Sequence, residues 1–145
     1  MPKVGPKQLA TVGIITKRDI ESHKKALAKL FKYLKGKKKE VLCDNNAGPI
    51  LGQFGNKKED ILKKADLVVT LGGDGTILKT ARRLSKKKVI VLGINYGTLG
   101  FLTECEPDKM IECLDRIFKG NYHKDKRSLL RVTVYRDSKK IDTYL

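Results

Sequence analysis

Asp74 stands alone among three glycines, in Gly72-Gly73-Asp74-Gly75. A short apolar, β-rich run at 67–71 leads into this turn, and residues 76–84 follow at helical spacing. The pattern predicts a buried parallel strand that opens through a glycine turn into a helix. In an open α/β sheet, ligands bind outside the carboxyl ends of the strands. The glycines let the backbone approach a ligand closely and take up positive φ. The free N–H groups of the helix start suit a phosphate. Asp74 is the only ionisable group in the turn. A carboxylate beside a phosphate site is tolerated where it binds a metal, accepts a proton or holds a sugar hydroxyl. The chemistry indicated is that of nucleotides or phosphoryl groups, centred on Asp74. The plain alternative is a glycine turn whose Asp caps the helix. The motif is neither the P-loop nor the Gly-x-Gly-x-x-Gly dinucleotide pattern.

Other elements must hold this turn in place. Residues 9–16 read as a first strand, apolar throughout and so buried on both faces. A helix follows over about 20–34, capped by Asp19 or Ser22 and stopped by Gly36. His23 in its first turn reads as a surface residue. Residues 40–44 form a second strand, 45–56 a loop or small irregular excursion, and 57–64 a short helix. Asp66 starts the strand that leads to Asp74. Residues 88–94 form the next buried strand. It ends in a second glycine-rich loop, Asn95-Tyr96-Gly97-Thr98-Leu99-Gly100-Phe101-Leu102-Thr103. Two such loops at successive carboxyl ends make one crevice. A helix over 107–119 ends at Gly120. Residues 128–136 then alternate in β fashion, Asp137-Ser138 turns, and 140–145 returns as an antiparallel hairpin. A hairpin alone is marginal in water. The expectation is therefore that this is the front part of a longer protein, or that another chain completes the sheet.

Composition bounds the partners. The chain has 145 residues, enough for one domain with a real core. No apolar run approaches the roughly 20 residues of a membrane helix. Residues 1–8 read as a poorly ordered polar tail without a signal peptide, which makes the cytoplasm the default location. Cys43 and Cys113 read as small core residues in a reducing compartment, and Cys105 as a loop residue that can be open to solvent and that nothing marks as a nucleophile. No zinc site is expected with only His23 and His123 to help. The formal net charge of +16 favours polyanionic partners. The lysines are dispersed, at 35/37/38/39, 57/58, 63/64 and 86/87/88, where a solvated face explains them. No nucleic-acid motif is visible, so nucleic acid is not an expected partner, and neither is a membrane.

Taken together, the two loops narrow the reading. Leu71-Gly72-Gly73-Asp74-Gly75-Thr76 followed by Gly93-Ile94 and the loop at 95–103 resembles the NAD kinase family, over essentially all of residues 9–145. The first turn alone is shared with diacylglycerol kinases and phosphofructokinases, and the second loop is what discriminates. Arg127-Ser128-Leu129-Leu130 also looks like the start of the family's β-rich second domain. The resemblance implies an α/β fold: an open parallel-sheet, Rossmann-like domain over 9–122, then the first hairpin of a truncated antiparallel domain over 123–145. It implies transfer of the terminal phosphate of ATP, or of polyphosphate, to the adenosine-ribose 2′-hydroxyl of NAD, giving NADP. Asp74 would be the general base. Gly72, Gly73, Gly75 and Thr76 would approach the nucleotide, and so would Gly97 and Gly100 in the second loop. Lys79 would contact the nucleotide from the helix, Asn95 would orient the second loop, and Phe101 would flank the adenine. Magnesium would ride on the donor phosphates, with no protein metal cage. The full-length protein would be a dimer or tetramer. The family's Asn-Asp or Asn-Glu motif is not matched, since the one Asn-Asn pair, Asn45-Asn46, lies elsewhere. The competing readings are a lipid kinase that shares the first turn and a non-catalytic basic module for nucleotides or nucleic acid. If Asp74 is a base, Asp74→Asn abolishes transfer and roughly preserves nucleotide affinity.

Overall fold

The computed structural model describes residues 9–84, 88–98 and 100–144. The expected tail at 1–8, Lys86 and Lys87 of the last lysine group, Leu99 of the second loop and Leu145 of the return strand lie outside the described residues. Five parallel strands form one sheet: β1 (Thr11–Thr16), β2 (Glu40–Asp44), β3 (Gly55–Asn56), β4 (Leu67–Gly72) and β5 (Ile90–Asn95). Their order is β3-β2-β1-β4-β5. The chain works outward from β1 to β3, then crosses back and works outward through β4 to β5. The strand order thus reverses between β1 and β4, and that is where an open α/β sheet has its crevice.

The centre of the sheet is covered on both faces, which is why β1, β4 and β5 are near-continuous apolar runs. Val12, Ile14, Leu67, Val69 and Leu71 share one buried cluster with Leu27, Leu30 and Leu34 of α1 (Lys24–Gly36). Met110, Leu114 and Ile117 of α5 (Met110–Phe118) complete that layer. Ile15 and Val68 point the other way, onto Ile61, Leu62 and Ala65 at α3 (Lys58–Lys64). The two-residue period of a strand assigns the layers. Gly13 is part of the same fit, because a β-carbon there would overlap Ile61 Cγ2.

Several boundaries differ from expectation. The segment 45–56 contains a four-residue helix, α2 (Ala47–Ile50), and the edge strand β3. α1 begins at Lys24, after a 3₁₀ turn over Glu21–His23, and neither Asp19 nor Ser22 caps it through a side chain. The Ser22 hydroxyl instead donates to the Asp19 carbonyl. Gly36 closes α1 in the helix itself, and the left-handed residue beyond it is Lys38, at φ 57°. Gly120 does end α5, at φ 73°, with Gly120 N–H donating to Ile117 O and Asn121 N–H to Arg116 O. That pair of bonds is the Schellman arrangement.

Beyond α5, β6 (Val132–Arg136) and β7 (Lys139–Tyr144) pair antiparallel. Asp137 and Ser138 both take positive φ, as the tight turn of a twisted hairpin requires. Leu130, Val134, Tyr135 and Ile141 of this region are exposed. Among the described residues, no helix is long and apolar enough to cross a membrane.

Candidate active site

The carboxyl ends of β1, β4 and β5 meet at the strand-order reversal. Lys17, just past β1, donates its N–H to Leu71 O of β4, and Tyr96, just past β5, donates to Gly72 O. Asn95 pairs in register with Gly72. The excursion after β5 returns to the same edge, where Asn95 N–H donates to Cys105 O and Cys105 N–H to Gly93 O. The second loop is therefore a closed flap rooted beside the glycine turn.

Of the glycines of the turn, Gly72 is required for space. None of Gly72, Gly73 and Gly75 takes positive φ, contrary to the sequence expectation. A β-carbon on Gly72 would overlap Thr76 Oγ1, so the turn packs directly on the helix that follows it. A β-carbon on Gly73 or Gly75 would meet nothing within 4 Å. The surface over those two positions is thus open, beside the first turn of α4 (Asp74–Ala81), whose leading N–H groups have no intrahelical partner.

Asp74 is the first residue of α4, behind Gly73 in extended backbone, and no side chain caps this helix. The carboxylate reaches across to the second loop. Oδ2 accepts the Phe101 N–H at 2.7 Å, and Oδ1 accepts Leu102 N–H at 3.0 Å and Thr103 N–H at 3.2 Å. The backbone donors of Phe101 and then Leu102 hold its carboxyl below the ordinary aspartate value, so it is ionised at neutral pH. Gly100 lies flat against this carboxylate, where a β-carbon would fall 2.6 Å from Cγ and 2.9 Å from Oδ2.

The remaining predicted residues take different stations. Thr76 is buried beneath the turn and donates its own N–H to Gly73 O. Lys79 is exposed on α4, five positions past Asp74 and so about 140° round the helix from it. Gly97 is exposed, with open space around it. The Asn95 side-chain oxygen and the Tyr96 hydroxyl are buried without a hydrogen-bond partner. Phe101 is 80 % exposed and lies under the Arg127 guanidinium, 5.4 Å from its ring centroid.

Three contributors escaped the sequence reading. Lys17 follows β1 beside Gly72, its Cβ 3.4 Å from where a Gly72 β-carbon would stand. The signal for it was available, because β1 is central and the residue after a central strand faces the crevice. His23 is half-buried, not a free surface residue, and its ring lies 4.5 Å from that of Tyr96. Arg127 reaches the site through Phe101. The cysteines also differ from expectation. Cys105 is buried, not open to solvent, and forms a disulfide with Cys113, which ties the root of the second loop to α5. Cys43 is buried and free, its thiol pushed up to about 11 by burial and by the Asp44 charge.

Among the described residues, no group of three His, Cys, Asp or Glu side chains is placed to hold a metal ion. Asp74, the one carboxylate in the turn, already accepts three N–H donors. The residues present do not form a cage for a divalent cation.

An open parallel sheet with a glycine turn and an ionised aspartate at its reversal point defines a doubly wound α/β domain with its crevice at the carboxyl ends of the strands. Comparison with known proteins makes this specific. Residues 12–122 match the ATP-NAD kinase N-terminal domain, and the chain belongs to the NAD kinase family. It is 38 % identical over 123 residues to the NAD kinase of Thermococcus kodakarensis, covering 82 % of this chain and 43 % of that protein. It is 39 % identical over 124 residues to the NAD kinase of Methanosphaera stadtmanae, covering 85 % of this chain and 45 % of that one. The chain thus spans under half the length of these relatives. Among solved structures it resembles an Archaeoglobus fulgidus NAD kinase in complex with ATP, with a TM-score of 0.54 at 26 % identity, covering 73 % of this chain and 36 % of that one. The fold is shared with yeast NADH kinase complexed with NADH, at a TM-score of 0.69 and 23 % identity, covering 79 % of this chain and 39 % of that one.

Proposed function

We propose that this chain carries the catalytic aspartate of a NAD kinase, which moves the terminal phosphate of ATP, or of polyphosphate, to the 2′-hydroxyl of the adenosine ribose of NAD. Residues 9–122 are the nucleotide-binding domain, and 123–145 begin a second, β-rich domain. The observation that carries the reading is the placement of Asp74: an ionised carboxylate beside an open glycine turn, at the reversal point of a parallel sheet.

The chemistry follows from that placement. The donor phosphates lie over Gly73 and Gly75, where missing side chains leave space and the start of α4 offers N–H groups and its positive dipole end. Lys17 stands next to the same turn, where it balances phosphate charge. The ribose hydroxyl approaches Asp74 Oδ2, which among the described residues accepts the Phe101 N–H. As the hydroxyl oxygen bonds to the terminal phosphorus, the bond from that phosphorus to its bridging oxygen breaks. ADP, or the shortened polyphosphate, leaves, and the hydroxyl proton passes to the carboxylate. The transition state of phosphoryl transfer is loose, so positioning outweighs basicity, and a weakly basic carboxylate suffices. A divalent cation such as magnesium, held by the donor phosphates and not by side chains of this chain, would neutralise part of their charge. Gly97, Gly100, Asn95 and Phe101 frame the acceptor side, and Lys79 the outer side of α4. We assign the full-length protein to the cytoplasm as a homo-oligomer, dimer or tetramer.

A coupled assay for NADP formation from NAD, ATP and magnesium tests this, on the chain as it stands and on one carrying a complete second domain. NADP formation in either supports the reading. Its absence from both folded proteins would sink it in favour of the binding-module alternative.

A further inference from the structure

Resting on the reading above, we propose that Asp74 is a positioning residue as well as a contact for the acceptor hydroxyl: its carboxylate holds residues 101–103 in place and so fixes Phe101 as a wall of the nucleotide pocket. The three N–H groups of this segment have no other acceptor among the described residues. Among the described residues, no other hydrogen bond holds its backbone between Gly100 and Cys105, where the loop rejoins β5. A segment without strand or helix pairing is ordered by such contacts or not at all.

The consequence falls on Phe101. Its N–H makes the shortest of the three bonds, 2.7 Å, while its ring is left 80 % exposed. The Arg127 guanidinium, ion-paired to Asp125 at 2.5 Å, covers part of the ring. The rest is an aromatic surface of the kind on which a base stacks. An exposed phenylalanine on an untethered loop would lose that orientation. Here the loop is pinned through the residue's own amide, by the carboxylate that faces the ribose hydroxyl. Gly100 completes the device, since any side chain at that position would displace the Asp74 carboxylate.

The proposal changes how a standard substitution reads. Asp74→Asn does not simply remove a base. In one orientation its NH₂ group faces the Phe101 N–H, and in the other it faces those of Leu102 and Thr103. A donor then meets a donor either way, and at least one of the three bonds is lost. Asp74→Asn should therefore weaken nucleotide binding, whereas a pure base would leave affinity roughly unchanged.

The test begins without nucleotide or catalysis. Amide hydrogen exchange is followed by NMR on the chain, as wild type, Asp74→Asn and Gly100→Ala. The Phe101, Leu102 and Thr103 amides should be protected in wild type and exchange at least 10-fold faster in both variants, with β4 amides unchanged. Unaltered exchange in Asp74→Asn would overturn the latch, whatever the protein's activity proves to be. NAD affinity is then measured for Asp74→Asn, Phe101→Ala and the double variant. If Asp74 acts through Phe101, each single change weakens binding at least 10-fold and the double change adds little. Affinity unchanged in Asp74→Asn, or a double variant whose losses multiply, would overturn the role of Asp74 in setting Phe101. A wild-type chain that shows the latch but does not bind NAD would count against the kinase reading and against Phe101 as a wall, and would leave the latch itself standing.

Discussion

Asp44 and Asp74 are two aspartates at the carboxyl end of one sheet, and they do the same local chemistry to different ends. Asp44 accepts the N–H groups of Thr16, Asn46 and Ala47, at 2.9, 3.1 and 2.9 Å. Asp74 accepts those of Phe101, Leu102 and Thr103, at 2.7, 3.0 and 3.2 Å. Asp44 is fully buried, with Lys58 Nζ 3.8 Å away, and it ties the end of β2 to β1 and to the start of α2. Two of its donors lie within three residues of it. Asp74 sits half-exposed beside open space, and all its donors lie 27–29 residues on. A carboxylate that is sealed from solvent is structural. One that is open, and fed by a distant loop, can hold that loop and also meet a ligand.

The sharpest way to separate the two is to delete each carboxylate. Asp74→Ala should lower NADP formation by about 10²–10⁴-fold, the range for losing a positioned proton acceptor, with little change in the urea midpoint. A midpoint that fell as far as that of the Asp44 variant would erase the contrast. Asp44→Ala strands two buried N–H donors, of Thr16 and Ala47, and one part-buried one, of Asn46, and each unmet buried donor costs about 1–3 kcal/mol. Its expected loss of stability is about 3 kcal/mol or more, read by chemical denaturation. A loss under 1 kcal/mol would show that water replaces the carboxylate there, and Asp44 would then be no more structural than Asp74.

Each aspartate has a glycine neighbour that extends the comparison. A β-carbon on Gly48, at the Asp44 end, would stand 2.8 Å from both N and Cα of Gly55, which is backbone of β3. One on Gly100 would meet the Asp74 side chain, which can rotate away. Gly48→Ala should therefore cost about 1–3 kcal/mol of stability, as overpacking does, and Gly100→Ala clearly less, since its effect falls on the loop. Thermal melts of the two variants check the order. The reverse ranking would mean that the Asp74 side chain is as immobile as backbone.

Much of this arrangement was legible in the sequence, and the exceptions share a cause. β1, β4 and β5 announce themselves as near-continuous apolar runs, as strands covered on both faces do, and β2 by its short apolar centre at Val41–Cys43. β3 does not, since Gly55 and Asn56 bury no apolar side chain and are held to β2 by backbone pairing and by the Asn56 amide, which donates to Cys43 O. The turn around Asp74 was visible as a motif, but its hydrogen-bond partners were not. They come within reach only once β4 and β5 lie side by side. The same holds for the Cys105–Cys113 disulfide, which depends on the second loop returning to β5 next to α5. Lys38 rather than Gly36 takes the left-handed position after α1, against the propensity of the two residues. Sequence patterns report which surfaces are buried. They do not report which distant backbone groups a side chain will find.

The smallest effect tests what kind of contact holds Asp74. Its carboxyl is held below the ordinary aspartate value by backbone N–H donors, Phe101 first and then Leu102, with no charged side chain among the causes. Asp115 is lowered too, first by the Tyr33 hydroxyl at 2.6 Å and then by Lys37 at 3.0 Å, with added attraction from Lys37 and Lys119. Both values are depressed in the folded chain, so each contribution to stability is full above the unfolded value and is lost as pH falls through the folded one. The Phe101–Thr103 amides should stay protected at pH values where an ordinary aspartate is half protonated, and lose protection only below that. Salt distinguishes the two groups, since it screens exposed ion pairs and leaves hydrogen bonds to fixed amides largely intact. In an NMR titration of the side-chain carboxyls, raising the salt should move Asp115 part of the way back toward the ordinary value and leave Asp74 where it was. An Asp74 that shifted with salt as Asp115 does would mean that a cation, and not the loop backbone, keeps it ionised, and the parallel with Asp44 would fail.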